Sequence, residues 1–526
     1  MIEKIESQRQ VLQTELDAKK TPKERNIMGQ FSTPITLAND ILTHAKKIFP
    51  KRNKVCFLDP AFGTGSFYSS LNTVFPTARI EAASGFEIDE HYGKPALKLW
   101  EKTDLDYQIA DFTKQNPPAE DKKFNLIICN PPYVRHHHIN AQKERLQAKA
   151  LEAANMKLSG LAGLYCYFIA LAHPWMKQNG IAGWLIPSEF MDVNYGQAIK
   201  NYLLNKVTLL QIHRFDPSDV QFDDALVSSA VVWFKNKKPG KNHKVKFTYG
   251  GSIDDPAHEK SVSLSILATE KKWTRFPLSG EREENNAPKL SDFFAVKRGI
   301  ATGDNKFFVL TREQIENRSL PFEQFRPILP SPRYLNTTEV KADKNGYPDI
   351  ENQLFVLDCK LPFDEVKRIY PELYDYLEEG IRSGVSERYL CKSRKIWYSQ
   401  ENRPESRFYC TYIGRSNKEG KKPFRFVLNR SKAIVTNSYL ILYPKPHLER
   451  EIEQNPDLDE RLLKALNQIT GKAMLDEGRV YGGGMHKMEP KELANVPAKE
   501  ISVIFEQSPN KALHSDNFSA ALQNCR

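Results

Sequence analysis

A short apolar stretch, residues 124–129, ends in the tetrapeptide Asn130-Pro131-Pro132-Tyr133. The pattern predicts a buried strand followed by a stiff loop, because proline fixes φ and has no N–H to donate. The Asn130 amide oxygen and the Pro131 carbonyl can then both accept hydrogen bonds from one exocyclic amino group, and Tyr133 offers a ring on which a planar base can stack. The alternative is a plain strand end followed by a polar loop, and the preceding segments favour the first interpretation.

Three earlier strand ends each carry an acid. The apolar run 55–58 is followed by Asp59-Pro60-Ala61-Phe62-Gly63-Thr64-Gly65, and two glycines one residue apart permit a tight turn and close approach of a ligand. Glu87 lies in a second strand, 85–89, at a position where doubly wound folds hold a nucleotide ribose. Asp111 and Phe112 follow a third strand, where they can bind an adenine. Helix N-caps would explain each acid separately, but not three in order before Asn130.

The glycine loop also limits the type of cofactor. It has neither the Gly-x-Gly-x-x-Gly of a dinucleotide site nor the Gly-Lys-Ser/Thr of a phosphate-binding loop. This disfavours a nicotinamide cofactor and ATP, and favours a nucleoside cofactor without phosphates, for which S-adenosyl-L-methionine is the obvious candidate. Strands alternate with helical stretches from about residue 33 to residue 234, which predicts a parallel sheet with crossover helices.

The order of these motifs resembles that of the amino-group DNA methyltransferases of type II restriction-modification systems, in particular the TaqI-type adenine methyltransferases. The likeness is specific over residues 25–236 and looser to about residue 500. It implies that S-adenosyl-L-methionine is bound by Thr33, Pro34, Asp59, Ala61, Phe62, Gly63, Gly65, Glu87, Ile88, Asp111 and Phe112. It assigns catalysis to Asn130, Pro131, Pro132, Tyr133 and Phe222, the last of which precedes Val227-Ser228 by five residues.

The resemblance implies a reaction in which an adenine is flipped out of duplex DNA. Tyr133 and Phe222 would sandwich the base, and Asn130 with the Pro131 carbonyl would accept from its N6 amino group. Cytosine-N4 methyltransferases usually have Ser at the position of Asn130, so they remain an alternative, as do RNA or protein-glutamine methyltransferases with the same pocket. A DNA-binding protein with an inactive catalytic fold is a further alternative. Residues 24–31 resemble the opening of PstI-type modification methylases, which implies a site such as CTGCAG.

Basic residues are concentrated late in the chain. The net charge is +11, and residues 386–432 hold +9 of it, from thirteen basic and four acidic side chains. Interleaved aromatic residues favour a nucleic acid partner over a merely solvated face. The glycine loop at 480–487 is equally consistent with backbone approach to DNA and with a flexible turn. The predicted contacts to double-stranded DNA are Arg394, Lys395, Trp397, Tyr398, Arg407, Arg415, Gly483 and Lys487. A separate cognate restriction endonuclease is a possible functional partner.

The expected fold class is α/β, a Rossmann-like methyltransferase domain followed by an α+β DNA-recognition domain. The predicted boundaries are an N-terminal helical extension (1–28), a catalytic domain (29–255), a linker (256–288), a target-recognition domain (289–500) and a tail (501–526).

The sequence also disfavours several other kinds of protein and site. No apolar run approaches the ~18 residues of a membrane span. Seven cysteines without Cys-x-x-Cys spacing indicate neither zinc nor disulfides, as in a cytoplasmic protein. No cysteine follows a proline, which excludes cytosine-C5 chemistry. The histidines at 136–138 suggest a loop near DNA phosphates or the active-site mouth more than a metal site.

Overall fold

The computed structural model describes residues 2–216, 228–278, 287–415, 422–481 and 485–506. The chain forms two compact units, the first made of residues 1–283 and 481–483, and the second of residues 284–480 and 484–526. In the described part of the chain no helix has the length and apolar character needed to cross a bilayer.

Within the described residues, nine strands of the first unit form one sheet in the order β3-β2-β1-β4-β5-β7-β6-β8-β9. The strands are β1 (Val55–Asp59), β2 (Ile80–Glu87), β3 (Leu105–Ile109), β4 (Phe124–Cys129), β5 (Met176–Pro187), β6 (Thr208–Arg214), β7 (Ser229–Lys235), β8 (Lys244–Gly251) and β9 (Pro256–Ser263). Strands β1 to β5 pair in parallel. The strand order reverses between β1 and β4, and ligands of open α/β sheets bind at such a switch point. The sheet confirms the predicted Rossmann-like fold class.

Helices cover this sheet on both faces. They are α1 (Ile2–Ala18), α2 (Pro22–Met28), α3 (Ile35–Ile48), α4 (Ser66–Val74), α5 (Glu90–Trp100), α6 (Lys143–Ala154), α7 (Leu164–Ala172), α8 (Gln197–Asn205) and α9 (Leu264–Thr269). Successive side chains of β1 point to opposite faces. Val55 and Phe57 therefore join the core beneath α3 and α4, whereas Cys56 and Leu58 join the core beneath α7.

The sequence-based prediction for this unit was wrong in two places. The sheet is not parallel throughout, because β7 pairs antiparallel with both β5 and β6. The predicted linker at 256–288 is also incorrect over its described first part. Strand β9 pairs antiparallel with β8 along its length, and Trp273 and Phe276 are buried in the core of the unit. Only two charged residues, Glu259 and Lys260, lie on β9. The Asn/Glu-rich end of the predicted linker, residues 281–286, lies outside the described residues.

The second unit mixes strands and helices, as predicted. Its strands are β10 (Phe294–Arg298), β11 (Val309–Thr311), β12 (Phe325–Ile328), β13 (Glu339–Val340), β14 (Leu354–Leu357), β15 (Phe408–Thr411), β16 (Ile413–Arg415), β17 (Phe426–Asn429), β18 (Tyr439–Pro444), β19 (Arg479–Tyr481) and β20 (Met485–Lys487). In the described part of this unit they form three sheets, in the orders β10-β18-β15-β17-β13, β11-β14-β12 and β16-β20-β19.

The helices of the second unit are short. They are α10 (Leu290–Phe293), α11 (Asn305–Phe308), α12 (Arg312–Asn317), α13 (Phe363–Ile369), α14 (Pro371–Arg382), α15 (Tyr389–Lys392), α16 (Pro446–Gln454), α17 (Leu458–Gln468), α18 (Gly471–Glu477), α19 (Pro490–Ala494) and α20 (Lys499–Glu506). Helix α20 crosses the predicted start of the tail at residue 501, because Ile501 is buried in the core of this unit. The tail prediction is therefore wrong for its first six residues.

Candidate active site

Asn130 follows the last residue of β4, at the carboxyl edge of the parallel strands. Its Nδ2 donates to the Phe31 carbonyl at 2.9 Å and to Thr33 Oγ1 at 3.1 Å. Its Oδ1 is buried and has no hydrogen-bond partner among the described residues. A buried amide oxygen without a partner costs free energy unless a ligand supplies a donor. The amide is thus held by its nitrogen while its oxygen remains free to accept.

The segment 29–33 lies directly against the Asn-Pro-Pro-Tyr loop. The Tyr133 N–H donates to the Gly29 carbonyl at 3.0 Å. Gly29 has φ +64°, and a Cβ built on it would lie 2.4 Å from the Tyr133 backbone nitrogen. Only glycine permits so close an approach in this conformation.

Tyr133 itself is largely buried. Its hydroxyl donates to the Leu185 carbonyl at 3.0 Å, and its ring lies 5.7 Å from that of Phe31. Burial raises the pKa of the hydroxyl far above its usual value. The phenol therefore stays protonated, and its hydrogen bond to the Leu185 carbonyl fixes the ring in place.

The glycine loop after β1 is held by two acids. Asp59 Oδ1 accepts from the Ala61 N–H at 3.1 Å, and Glu87 Oε2 accepts from the Gly63 N–H at 3.0 Å. Burial, together with the neighbouring Glu87 charge, raises the pKa of Asp59 to about 8. Burial also raises the pKa of Glu87. Both carboxyls therefore lie in surroundings that favour a cationic ligand nearby.

Asp111 has a structural role as well as a place in the site. Its Oδ1 accepts from the N–H and the hydroxyl of Thr113, at 2.9 and 2.7 Å, and so caps the turn that follows β3. Asp111 therefore acts as an N-cap, which was the alternative explanation of this acid. It also lines the cavity described next. The adjoining Phe112 ring is buried between Phe86 and Phe168.

A cavity of about 400 Å³ connects these groups. Nine of the eleven predicted cofactor residues line it, namely Thr33, Asp59, Ala61, Phe62, Gly63, Glu87, Ile88, Asp111 and Phe112, together with Asn130 and Pro132 of the predicted catalytic set. Pro34, Gly65, Pro131 and Tyr133 are not in the lining. Gly65 instead forms the turn into α4 at φ +95°. Phe222 lies outside the described residues.

The cavity wall also contains four residues that were not predicted for the site, namely Gln13 and Asp17 of α1 and Ile27 and Met28 at the end of α2. His138, from the loop predicted near the active-site mouth, lines it as well. Gln13 Oε1 accepts from Thr64 Oγ1 at 2.6 Å, and the buried Arg9 donates to the same hydroxyl at 3.1 Å. The predicted N-terminal extension therefore lies against the glycine loop. The four-residue spacing of Arg9, Gln13 and Asp17 places them on one helix face, which is a sequence signal of this contact.

Asp89, at the start of α5, also joins the N-terminal helices to the sheet edge. It accepts from Lys20 Nζ, and from Gln30 Nε2 at 2.7 Å. It also caps α5 by accepting from the His91 N–H. Asp89 is thus occupied by protein donors, which leaves Glu87 as the acid of β2 that lines the cavity.

The three histidines at 136–138 form a short 3₁₀ turn. The rings of His136 and His137 meet edge to face, and those of His137 and His138 are tilted, with centroids 4.1 Å apart. Desolvation, followed by the positive charges of His138, His136 and Arg135, lowers the pKa of His137. No cluster of three or more metal-ligating side chains occurs in the described part of the chain. His138 lines the cavity, which places this turn at the candidate active site.

In the second unit, the predicted DNA contacts differ in their surroundings. Lys395 and Arg415 are exposed, and neither forms an ion pair or side-chain hydrogen bond within the described ranges. Trp397 is half-buried against Phe307. Tyr398 is only 1% exposed and donates to the Leu361 carbonyl at 2.6 Å. The prediction that Tyr398 contacts DNA is therefore wrong, because its ring belongs to the core.

Three of the predicted basic contacts have internal partners. Arg394 donates to the carbonyls of Ala301 and Thr302. Arg407 pairs with Asp459 at 3.1 Å, and Lys487 pairs with Glu489 at 2.9 Å. Gly483 lies outside the described residues. Exposed lysine and arginine side chains without such partners are the better candidates for phosphate contacts.

Two family models match this chain, and together they cover parts of both units. A model described as "Eco57I restriction-modification methylase" matches residues 68–221. A second, "Type II methyltransferase M.Eco57I, C-terminal domain", matches residues 270–524. The first match begins within α4 and contains Glu87, Asp111 and Asn130, and the second covers nearly the whole second unit. The chain belongs to the type II restriction-modification DNA methyltransferases.

Curated relatives are similar to this methyltransferase over most of its length. The Type II methyltransferase M.AccI of Acinetobacter calcoaceticus is 25% identical over 508 residues, 93% of this chain and 88% of the relative. M.XamI of Xanthomonas campestris pv. amaranthicola is 25% identical over 475 residues, 88% of this chain and 84% of the relative.

A solved structure shares the fold. The Type IIL restriction-modification enzyme MmeI, in complex with DNA, aligns with a TM-score of 0.53 at 15% identity, over 97% of this chain and 81% of that chain. At this identity the likeness supports the fold alone.

S-adenosyl-L-methionine is the cofactor of this methyltransferase. The cavity fits it chemically. The carboxylates of Glu87 and Asp111 suit ribose hydroxyls and an adenine amino group, Ile88 and Phe112 offer apolar faces to the base, and Asp59 suits a cationic ligand.

Proposed function

We propose that this methyltransferase transfers a methyl group from S-adenosyl-L-methionine to N6 of an adenine flipped out of a short duplex DNA sequence. The observation that supports the proposal best is the Asn130 amide. Its buried Oδ1 has no donor among the residues that the structure describes, and its nitrogen donates to Phe31 and Thr33. An acceptor oriented in this way suits an exocyclic amino group.

The chain's own residues would bind and orient the reactants. The bound cofactor supplies an electrophilic methyl group. Asn130 Oδ1 and the Pro131 carbonyl would accept both N6 hydrogens, which directs the nitrogen lone pair out of the plane of the base. Tyr133 would hold the flipped ring, and Phe222 is proposed as its second face. Positioning of this kind accounts for most of the rate enhancement in a direct displacement, which needs no covalent enzyme intermediate.

The direct test is methyl transfer from labelled S-adenosyl-L-methionine to duplex DNA, followed by nucleoside analysis. We expect label in N6-methyladenine. Label in N4-methylcytosine would retain the mechanism and change the base. Absence of label in DNA, with the cofactor bound, would overturn the proposal and direct the test to RNA or protein glutamine.

A substitution at Asn130 tests the pocket. We expect Asn130→Ala to abolish methyl transfer while the cofactor still binds, because the acceptor is lost and the carboxylates of the cavity remain. Turnover and cofactor affinity are measured in parallel on the full chain. Retention of most of the activity would remove Asn130 from the reaction.

The DNA sequence that is recognised and the biological role are proposed from the resemblance to PstI-type modification methylases. The PstI-type opening at residues 24–31 supports a palindromic six-base target such as CTGCAG. Modification of this sequence would protect DNA from a cognate restriction endonuclease. Sequencing of methylated DNA would identify the target, and a different target would leave the reaction itself unaffected.

A further inference from the structure

The orientation of the Asn130 amide is decided by two groups on the segment before α3. An asparagine amide has an oxygen and a nitrogen of similar size, so packing alone does not choose which one faces the cavity. Here Nδ2 lies 2.9 Å from the Phe31 carbonyl oxygen and 3.1 Å from Thr33 Oγ1. A rotated amide would place its oxygen against the Phe31 carbonyl, which has no hydrogen to share.

Thr33 completes this arrangement. The Phe31 carbonyl engages one amide hydrogen, and the Thr33 hydroxyl accepts the other. With both hydrogens engaged, the amide has no donor left to oppose the hydrogens of an amino group. Asn130 is then an acceptor only, which is the role that the proposed reaction gives it.

Thr33 is itself held rigidly. It is 8% exposed, and its carbonyl accepts from Ser66 Oγ at 2.8 Å. Ser66 is the first residue of α4, immediately after the glycine loop, so the loop that holds the cofactor also holds the backbone of Thr33. The Gly29–Tyr133 hydrogen bond fixes the other end of the same segment.

We propose that Thr33 is a positioning residue that orients the Asn130 amide, in addition to lining the cofactor cavity. This inference rests on the proposed function, since it gives Asn130 the role of acceptor from the target amino group. It predicts that the Thr33 hydroxyl affects turnover more than it affects cofactor affinity.

The test compares Thr33→Val, which keeps the shape and loses the hydroxyl, with Thr33→Ser, which keeps the hydroxyl. Thr36→Val is the matched control, because Thr36 is exposed on α3. The full chain is used throughout, at saturating S-adenosyl-L-methionine. We expect kcat of Thr33→Val to fall about 10- to 100-fold, as for other small displacements of a reacting group. Thr33→Ser should recover most of kcat, and Thr36→Val should match the unmodified enzyme.

Two further measurements separate positioning from other roles. Cofactor affinity, measured by calorimetry, should fall by a much smaller factor than kcat in Thr33→Val. The fluorescence of 2-aminopurine at the mapped target base should be unchanged, because flipping precedes the step that Thr33 affects. A raised cofactor Kd with normal kcat at saturation would overturn the proposal and leave Thr33 as a cofactor contact alone. Equal loss of kcat and of thermal stability in the valine and serine variants would also overturn it.

The outcome is distinguishable from failure of the proposed function. If Asn130→Ala abolishes transfer and Thr33→Val is fully active, the reaction stands and the positioning role is wrong. If Asn130→Ala is active, both fail.

Discussion

At the scale of single residues, the unusual feature of the site is a carboxyl group buried without a cationic partner in the described structure. Asp59 ends β1 and accepts one backbone N–H, and burial raises its pKa from 3.8 to about 8. Glu87 is shifted in the same direction. Between these two pKa values the folded Asp59 carboxyl therefore holds a proton that the unfolded chain would have released.

This difference gives stability a definite pH dependence. The carboxyl in the unfolded chain ionises near pH 3.8, whereas burial raises the pKa of folded Asp59 to about 8. Between those values the folded state binds more protons, so the free energy of unfolding should fall as pH rises from about 4 to about 8. Denaturant titrations of the free enzyme at several pH values in this range measure the free energy of unfolding. We expect Asp59→Asn to flatten the slope, whereas Asp104→Asn, at an exposed position, should not. An unchanged slope in Asp59→Asn would contradict the assignment.

Gly29 is the residue that permits segment 29–33 to approach the Asn-Pro-Pro-Tyr loop. A Cβ here would lie 2.4–2.6 Å from the backbone of Tyr133 and Val134. We expect Gly29→Ala to lower both stability and turnover, since the segment that orients Asn130 must move away. Gly384→Ala is the matched control, because Gly384 also has positive φ (+75°) but nothing within 4 Å of the added methyl. Thermal unfolding and kcat are compared in the two variants. Equal losses would show that the positive φ, and not the close contact with the Tyr133 backbone, causes the effect.

At the scale of elements, the main revision concerns where the catalytic unit ends. Strand β9 and helix α9 belong to the first unit, and the short turn after them buries Trp273 completely. Its indole N–H donates to the Leu267 carbonyl at 3.0 Å, and Lys200 Nζ lies 5.3 Å from the ring centroid. Residues 256–278 are therefore structural parts of the catalytic unit.

This placement is testable by a pair of substitutions. We expect Trp273→Ala to destabilise the enzyme by about 3–5 kcal/mol, the usual cost of removing a buried indole. Ile266→Ala should cost far less, because Ile266 is 46% exposed on α9. Chemical unfolding measures both. If the two variants were equally stable, the stretch would behave as the linker that the sequence suggested.

At the scale of the whole molecule, the positive charge of the chain is only partly available to DNA. Residues 386–432 carry much of the net charge, yet Arg394 caps two carbonyls and Arg407 pairs with the buried Asp459. Basic side chains that stabilise the fold cannot also release counterions from DNA without losing those contacts. The charge count therefore overstates the number of phosphate contacts in this stretch.

Arg394 and Lys395 are adjacent in the chain, and they allow a basic residue that stabilises the fold to be compared with one that is available to DNA. We expect Lys395→Ala to leave stability unchanged and to reduce the salt slope of DNA binding by about 1, as for one lost phosphate contact. Arg394→Ala should instead lower the free energy of unfolding by about 1–3 kcal/mol, because it leaves the Ala301 and Thr302 carbonyls without their donor. Binding titrations at several salt concentrations, with unfolding curves, separate the two. A salt slope unchanged in Lys395→Ala would remove that residue from the interface.

The sequence by itself determined the order of the motifs and the fold class, because strand ends, the glycine loop and the Asn-Pro-Pro-Tyr tetrapeptide are local patterns. Nine of the eleven predicted cofactor residues line one cavity, since the carboxyl ends of parallel strands meet at one edge. Tertiary structure alone decided which polar groups are already paired. Thr33 and Asn130 are 97 residues apart in the chain, and no periodicity brings them together. Tyr398 is a second example. The basic and aromatic residues around it suggested a DNA contact, but its burial depends on residues that are distant in the chain. Pairing and burial depend on packing between elements, and that information is not local to any motif.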